Sequence, residues 1–395
     1  MDPRWMAMAL AAMVVGCQNP MPRAMTDSAK PTSIRVASYN IALNDDAPGG
    51  VIARLEAGDD SVRQIAAVIQ SVRPDVLLLN ELDFDPAGRA AELLQTRYLA
   101  VGQFALAPID YPYRYLAPVN TGEPSGLDLD GDGGVDGPND AWGFGRHPGQ
   151  YGMLLLSRFP LDAARVRSFR ELRWAAMPDA LRPRLPDGSA YYPEAIWTAL
   201  RLSSKSVWDV PIATPFGPLH VLASHPTPPA FDGPEDRNGA RNHDEIRLLA
   251  DYVSGGAAAT WLIDDQGRRG GLENDARFVI LGDLNADPVD GSSRDQAIRQ
   301  LLDHPAVQDP QPRGAGGGAQ AAARDGGANL TQRADPDHDT SDFGPRVGNL
   351  RVDYALPSRQ LKVLGSGVFW PADGTPGADW VSASDHRMVW VDIGF

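Results

Sequence analysis

Arg277-Phe278-Val279-Ile280-Leu281-Gly282-Asp283-Leu284-Asn285-Ala286-Asp287-Pro288 is the stretch on which the reading of this chain turns. Phe278 to Leu281 form a short apolar run, the pattern of a buried strand. Asp283 and Asn285 follow at alternate positions and are expected to point the same way. The first is a carboxylate able to hold a metal, orient a water or accept a proton. The second is an amide able to donate to a phosphate oxygen. Strand ends are where α/β sheets gather ligand groups, and Asp287-Pro288 then stops the strand. Taken alone, Gly-Asp-x-Asn also makes an ordinary turn, so partners elsewhere decide between the two.

Upstream, residues 33–42 alternate as a strand that ends on Asn40. Residues 61–73 place Val62, Ile65, Ala66, Ile69 and Val72 at helical spacing, and Pro74 stops that helix. Asp75–Leu79 is a second apolar strand, ending in Asn80-Glu81. Strand, helix, strand with Gly/Pro punctuation opens an α/β domain. Glu81 continues an apolar run, and a carboxylate there needs a partner or a metal. Residues 87–98 read as a helix, Met153–Ser157, Trp197–Leu202 and Leu219–Ala223 as strands, and 241–253 as a helix. His225 follows the third of those strands. Leu350–Pro357 is a strand carrying a single carboxylate, Asp353, and Asp385-His386 precedes the final strand, Met388–Ile393. No internal repeat and no linker divides the chain.

Two segments interrupt this alternation. Within 118–149, Asp128, Asp130, Asp132 and Asp136 stand at relative positions one, three, five and nine, with Gly133 at six and Val135 at eight. That is the alternation with which a calcium loop aims oxygens at one hard cation. Position twelve is Asn139 rather than the bidentate Glu, with Asp140 one place late, so the expectation is a structural calcium of reduced affinity. Residues 311–342 are Gly/Ala-rich and polar and read as a long flexible loop.

The 395-residue chain has a net charge of -15, which argues against a general nucleic-acid coat, since non-specific DNA binding rests on Lys and Arg neutralising phosphates. Its N-terminus carries one Arg, a short apolar run from Trp5 to Val15, and Gly16-Cys17. That run is too short to span a bilayer and reads as a secretory signal over 1–16. Val14-Val15-Gly16-Cys17 resembles the bacterial lipobox, which implies lipidation of Cys17, the single cysteine of the chain. Gln18 after the cysteine suggests, by the same resemblance, sorting to the outer membrane. Residues 17–32 would then be a tether. The expectation is a bacterial lipoprotein of the cell envelope, outer-membrane or extracellular.

Asn40, Glu81, His225, Asp283, Asn285, Asp353, Asp385 and His386 all fall at or near strand ends, and hydrolysis of a phosphate ester gives them a common purpose. It needs a hard cation on a carboxylate, donors for phosphoryl oxygens, a base for water and an acid for the leaving group. The segments Ser38-Tyr39-Asn40, Asn80-Glu81, Ser224-His225, Gly282–Asp287, Arg351–Tyr354 and Ser384-Asp385-His386, in this order, resemble the endonuclease/exonuclease/phosphatase superfamily. The resemblance implies an α/β (α+β) four-layer sandwich, two packed mixed β-sheets flanked by helices, over 33–395. It implies that Glu81 holds a divalent Mg²⁺ or Mn²⁺, with Asn40 and Asp385 completing or supporting its shell. Asp353 would orient His386, a general base or phosphate contact. Asp283 would orient or deprotonate the nucleophile, while Asn285, Asn40 and His225 bind or protonate phosphoryl oxygens. Asn80 stands where many relatives carry Gln, and neither interrupting segment belongs to the general pattern.

The expected activity is metal-dependent hydrolysis of a small, lipid-derived or nucleic-acid phosphate ester by a monomer anchored to the membrane. An extracellular or periplasmic nuclease is the alternative within that chemistry. A calcium-stabilised surface binding protein that has lost turnover is the alternative outside it.

Overall fold

The computed structural model describes residues 33–395. The signal segment, the tether and Cys17 lie outside those residues. Among the described residues no helix is long and apolar enough to cross a membrane.

The chain opens with β1 (Ile34–Leu43), α1 (Gly50–Ala57), α2 (Asp60–Val72), β2 (Val76–Leu82) and α3 (Arg89–Leu93), followed by β3 (Tyr113–Tyr115) and β4 (Met153–Ser157). It continues with β5 (Arg167–Ser168), α4 (Glu194–Trp197), β6 (Val207–Thr214), β7 (Gly217–Ser224), α5 (Arg237–Ser254) and β8 (Phe278–Asp283). The last part holds α6 (Arg299–Leu302), α7 (Gly317–Asp325), β9 (Ser341–Asp342), α8 (Gly344–Val347), β10 (Asn349–Leu350), β11 (Asp353–Pro357), β12 (Lys362–Val368) and β13 (Val389–Gly394).

Two mixed sheets result, one ordered β12-β13-β1-β2-β4-β3 and the other β11-β8-β7-β6-β5. Each is built around one parallel pair, β1/β2 and β7/β8, joined through helices, with antiparallel strands on both sides. The inner strands β2, β4 and β8 bury both faces, which is why they read as unbroken apolar runs rather than as alternation. Val76 and Leu78 of β2 meet Val221, Val279 and Leu281 of the other sheet in a central core. Leu77 and Leu79 instead face Val62, Ile65 and Ile69 of α2. On the far side, Leu222 and Ile280 pack with Ile246 and Leu249 of α5. The layers are therefore helix, sheet, sheet, helix, as expected.

Two expectations fail. Trp197–Leu202 is not a strand: Trp197 ends α4, and its ring, Leu200 and Leu202 are buried in the core that contains α5. The strand of that region is β6, whose apolar pattern is broken in sequence by Asp209 and Pro211. Asp209 is tolerated because its carboxylate accepts a 2.7 Å hydrogen bond from His220 Nδ1 on β7. Residues 311–342 are not a bare loop either. They carry α7, whose small residues let it lie close to its neighbours: a Cβ on Gly317 would overlap the Trp370 indole, and one on Gly318 the Pro336 carbonyl. Ala321 is buried against Val368 and Trp370. The Gly/Ala content that suggests flexibility in sequence is here a packing surface.

Candidate active site

Parallel strands end, and antiparallel strands begin, along one common edge of the two sheets, and this edge holds the polar residues. Asn40 lies in β1, Glu81 in β2, Asp283 ends β8 and His225 follows β7. Asp353 starts β11 directly opposite Asp283, and His386 comes just before β13. Glu81 is aimed by an irregularity. Between the pairs Asn40–Asn80 and Leu43–Leu82, β1 has two residues where β2 has one, and both Ala42 (φ 46°) and Glu81 (φ 61°) adopt the left-handed conformation. Such a bulge reorients a side chain at the cost of local strain.

The Asn40 amide nitrogen bridges the sheets, donating to Glu81 Oε1 and to Asp283 Oδ2, each at 3.0 Å. The Asn40 oxygen accepts the Ala42 N–H, and the group Asn40 turns toward Glu81 and Asp283 is its amide donor. Asn44 holds the other Glu81 oxygen at 3.0 Å. His225 Nε2 lies 3.4 Å and His386 Nε2 3.7 Å from the same Asp283 oxygen. His386 Nδ1 is hydrogen-bonded to Asp353 at 2.8 Å, and the Thr340 hydroxyl accepts the Val352 and Asp353 N–H groups. Phe343 sets its ring edgewise against the His386 imidazole. The end of the segment expected to be a flexible loop thus buttresses the site.

Charge follows from this packing. Burial works to raise the Asp283 carboxyl, but His386, His225 and the Asn40 amide outweigh it and hold it well below the usual carboxylate range. Burial pushes Asp353 up to about 6, against the pull of His386. His386 is raised despite burial, because Asp353 and Asp283 flank it. His225 is lowered by burial and then by the Lys205 charge, which favours a neutral ring donating Nε2–H to Asp283. Lys205 is itself lowered by burial, against the fields of Glu245, Glu81 and Asp283.

The ligand atoms of Glu81, His225 and Asp283 lie within 4.8 Å of one another, as do those of Asp283, Asp353 and His386. In the first group the partly exposed Glu81 carboxylate and the buried Asp283 carboxylate supply the oxygens that a hard divalent cation takes, with His225 donating to Asp283 beside them. Asp385 belongs to neither group; its exposed carboxylate stands 4.0 Å from His386 Nε2. Asn285 is placed differently from the expectation. Its φ of 52° breaks the strand alternation, its N–H caps Asp283 Oδ1, and its side chain donates to the Pro226 carbonyl at 3.1 Å. It shapes the loop instead of offering its amide beside Asp283.

In the acidic insertion the clustered carboxylates are Asp128, Asp130 and Asp140, without Asp132 or Asp136. Asp132 accepts the Gly134 N–H, and Asn139 donates to Asp130. The late acid, not the one at relative position nine, completes the set.

Residues to which the sequence alone gave no role also build the site. Asn80 Oδ1 accepts the Asp283 N–H at 3.3 Å, stitching the sheets. Ser384 Oγ donates to the Asn40 carbonyl and accepts the His386 N–H. Lys205 had one sequence signal: the chain has three lysines among 36 basic residues, and this one sits amid serines just before a strand.

The sequence model of the Endonuclease/Exonuclease/phosphatase family matches residues 37–386. No curated protein matches the chain. Similar solved structures include an endonuclease/exonuclease/phosphatase from Beutenbergia cavernae at 21% identity, covering 92% of this chain and 72% of that one, with a TM-score of 0.49. Sphingomyelinase C from Streptomyces griseocarneus is 15% identical over 91% of this chain and 99% of its own, with a TM-score of 0.46. The human Nocturnin catalytic domain is 16% identical over 93% and 95%, with a TM-score of 0.45.

Proposed function

Because the chain belongs to the endonuclease/exonuclease/phosphatase family, we propose that it is a metal-dependent phosphoric ester hydrolase. The observation that carries this reading is the convergence on one Asp283 oxygen of the Asn40 amide and the Nε2 atoms of His225 and His386. Glu81, supported by His225 and Asp283, would hold the divalent cation, which when bound neutralises charge on a phosphoryl oxygen. Asp283, kept ionised, orients water and accepts its proton. His386, kept cationic by Asp353, donates to the developing phosphoryl charge, and neutral His225 holds Asp283 in place. The acidity of the chain favours a small or lipid-derived phosphate ester over DNA, and the N-terminal lipobox favours action at the cell envelope. The test is hydrolysis of p-nitrophenyl phosphate, bis-p-nitrophenyl phosphate and plasmid DNA with Mg²⁺, Mn²⁺ or Ca²⁺. Turnover of the nitrophenyl esters ahead of plasmid supports the proposal, preferential plasmid cleavage makes the enzyme a nuclease, and resistance of all three with every metal removes the hydrolase reading.

A further inference from the structure

Lys205 is the buried lysine among the described residues, 6% exposed, whereas Lys362 faces solvent. It stands in the loop Ser203–Ser206 leading into β6, and the register Val207–Ser224 sets that loop opposite His225 to Thr227. Glu245 of α5 clamps the two loops together, accepting the Ser204 N–H on one oxygen and the Thr227 N–H on the other, both at 2.6 Å. Asn242 donates to the Thr227 and Leu284 carbonyls, and Arg241 to those of Leu202 and Arg201, so one face of α5 fixes the frame around Lys205.

Within that frame the polar groups are unusually free. Among the described residues no carboxylate lies within 4.0 Å of the Lys205 ammonium, although Glu245, Glu81 and Asp283 all act on its charge. The hydroxyls of Ser203, Ser204 and Thr227 and Nδ1 of His225 are buried without a hydrogen-bond partner. The three buried hydroxyls left unbonded each carry a desolvation cost that native folds normally offset with a partner. The shared chemistry of the set is donation: a compact cation and three O–H groups matched to an oxyanion.

We propose that Lys205, with the hydroxyls of Ser203, Ser204 and Thr227, forms an oxyanion subsite that takes a non-bridging oxygen of the substrate's phosphate. This rests on the hydrolase reading above for its substrate, but the subsite is measurable without turnover. The probe is inorganic phosphate, added to the Mg²⁺-loaded protein and followed by thermal shift, and by inhibition of nitrophenyl ester hydrolysis. Lys205→Met is expected to weaken phosphate binding about tenfold or more and kcat/KM about 100-fold, as loss of a buried charged donor does, while the protein stays folded. Thr227→Val, which keeps the shape and the backbone N–H to Glu245, is expected to weaken phosphate severalfold, and it tests the subsite even if Lys205→Met fails to fold. Phosphate binding lost in these variants of a protein that hydrolyses nothing would sink the hydrolase reading and leave the subsite standing. Phosphate binding equal to wild type in the folded variants, or absent from wild type, overturns the subsite and leaves Lys205 as the counter-charge of Glu245.

Discussion

Asp283 is the acceptor on which the site is centred, and its environment separates the two roles a carboxylate can play. Buried alone it would take up a proton; surrounded by the Asn40 amide, His225 and His386 it stays ionised. Asp283→Asn keeps the shape and removes the charge. It is expected to lower kcat/KM about a thousandfold or more without loss of the folded state, since removing a preorganised charge acts on the transition state. Steady-state hydrolysis with a parallel melting curve checks this, and unimpaired turnover would remove Asp283 from its central role. A second carboxylate near the site behaves oppositely. Asp339, next to Thr340, is raised to about 8, first by burial and then by Asp287, Asp290, Asp335 and Asp337. With the folded value above the unfolded one, the folded state binds the extra proton, so this group's contribution to stability falls as pH rises from about 4 to about 8. Asp339→Asn should therefore raise the melting temperature most near pH ~9, with the gain fading toward pH ~4. A gain independent of pH would exclude that origin.

At the scale of elements, two features place side chains that strand periodicity cannot. The bulge in β1 beside left-handed Glu81 turns the Glu81 carboxylate toward Asn40 and Asn44. The loop closed by Asp128, Asp130 and Asp140 gathers three acids in an insertion that also meets α5, where Arg241 donates to the Trp142 carbonyl at 2.7 Å. Calcium bound there would stabilise the folded state by mass action. Adding EGTA to protein purified in Ca²⁺ is expected to lower the melting temperature, with recovery on excess Ca²⁺. A melting curve indifferent to EGTA would leave the loop as an acidic turn held by its own Asp–backbone hydrogen bonds.

For the whole molecule, the alignment of two sheet edges makes one site from strands more than 300 residues apart in sequence, such as β1 and β13. The N-terminal reading adds a location: wild-type full-length chain expressed in a bacterium is expected in the membrane fraction, and Cys17→Ser in the soluble fraction. Equal partition of the two would remove the lipid anchor. What the sequence determined by itself was the apolar strands β1, β2, β4, β7, β8, β11 and β13, their polar terminal residues and their order, because local periodicity and strand-ending chemistry are written residue by residue. It singled out Asp283, His386, Asp353, His225, Asn40 and Glu81 as polar residues at strand ends and by family resemblance. It misread Trp197–Leu202, α7 and the course of Asn285, where burial against a distant partner or a single positive φ overrides local pattern. Only the tertiary structure decided that Asn40 joins Glu81 to Asp283, that Thr340 and Phe343 brace the Asp353–His386 pair, and that the Lys205 charge acts on His225 and Asp283. Those contacts depend on how two sheets and one helix face pack, and no stretch of chain encodes that packing alone.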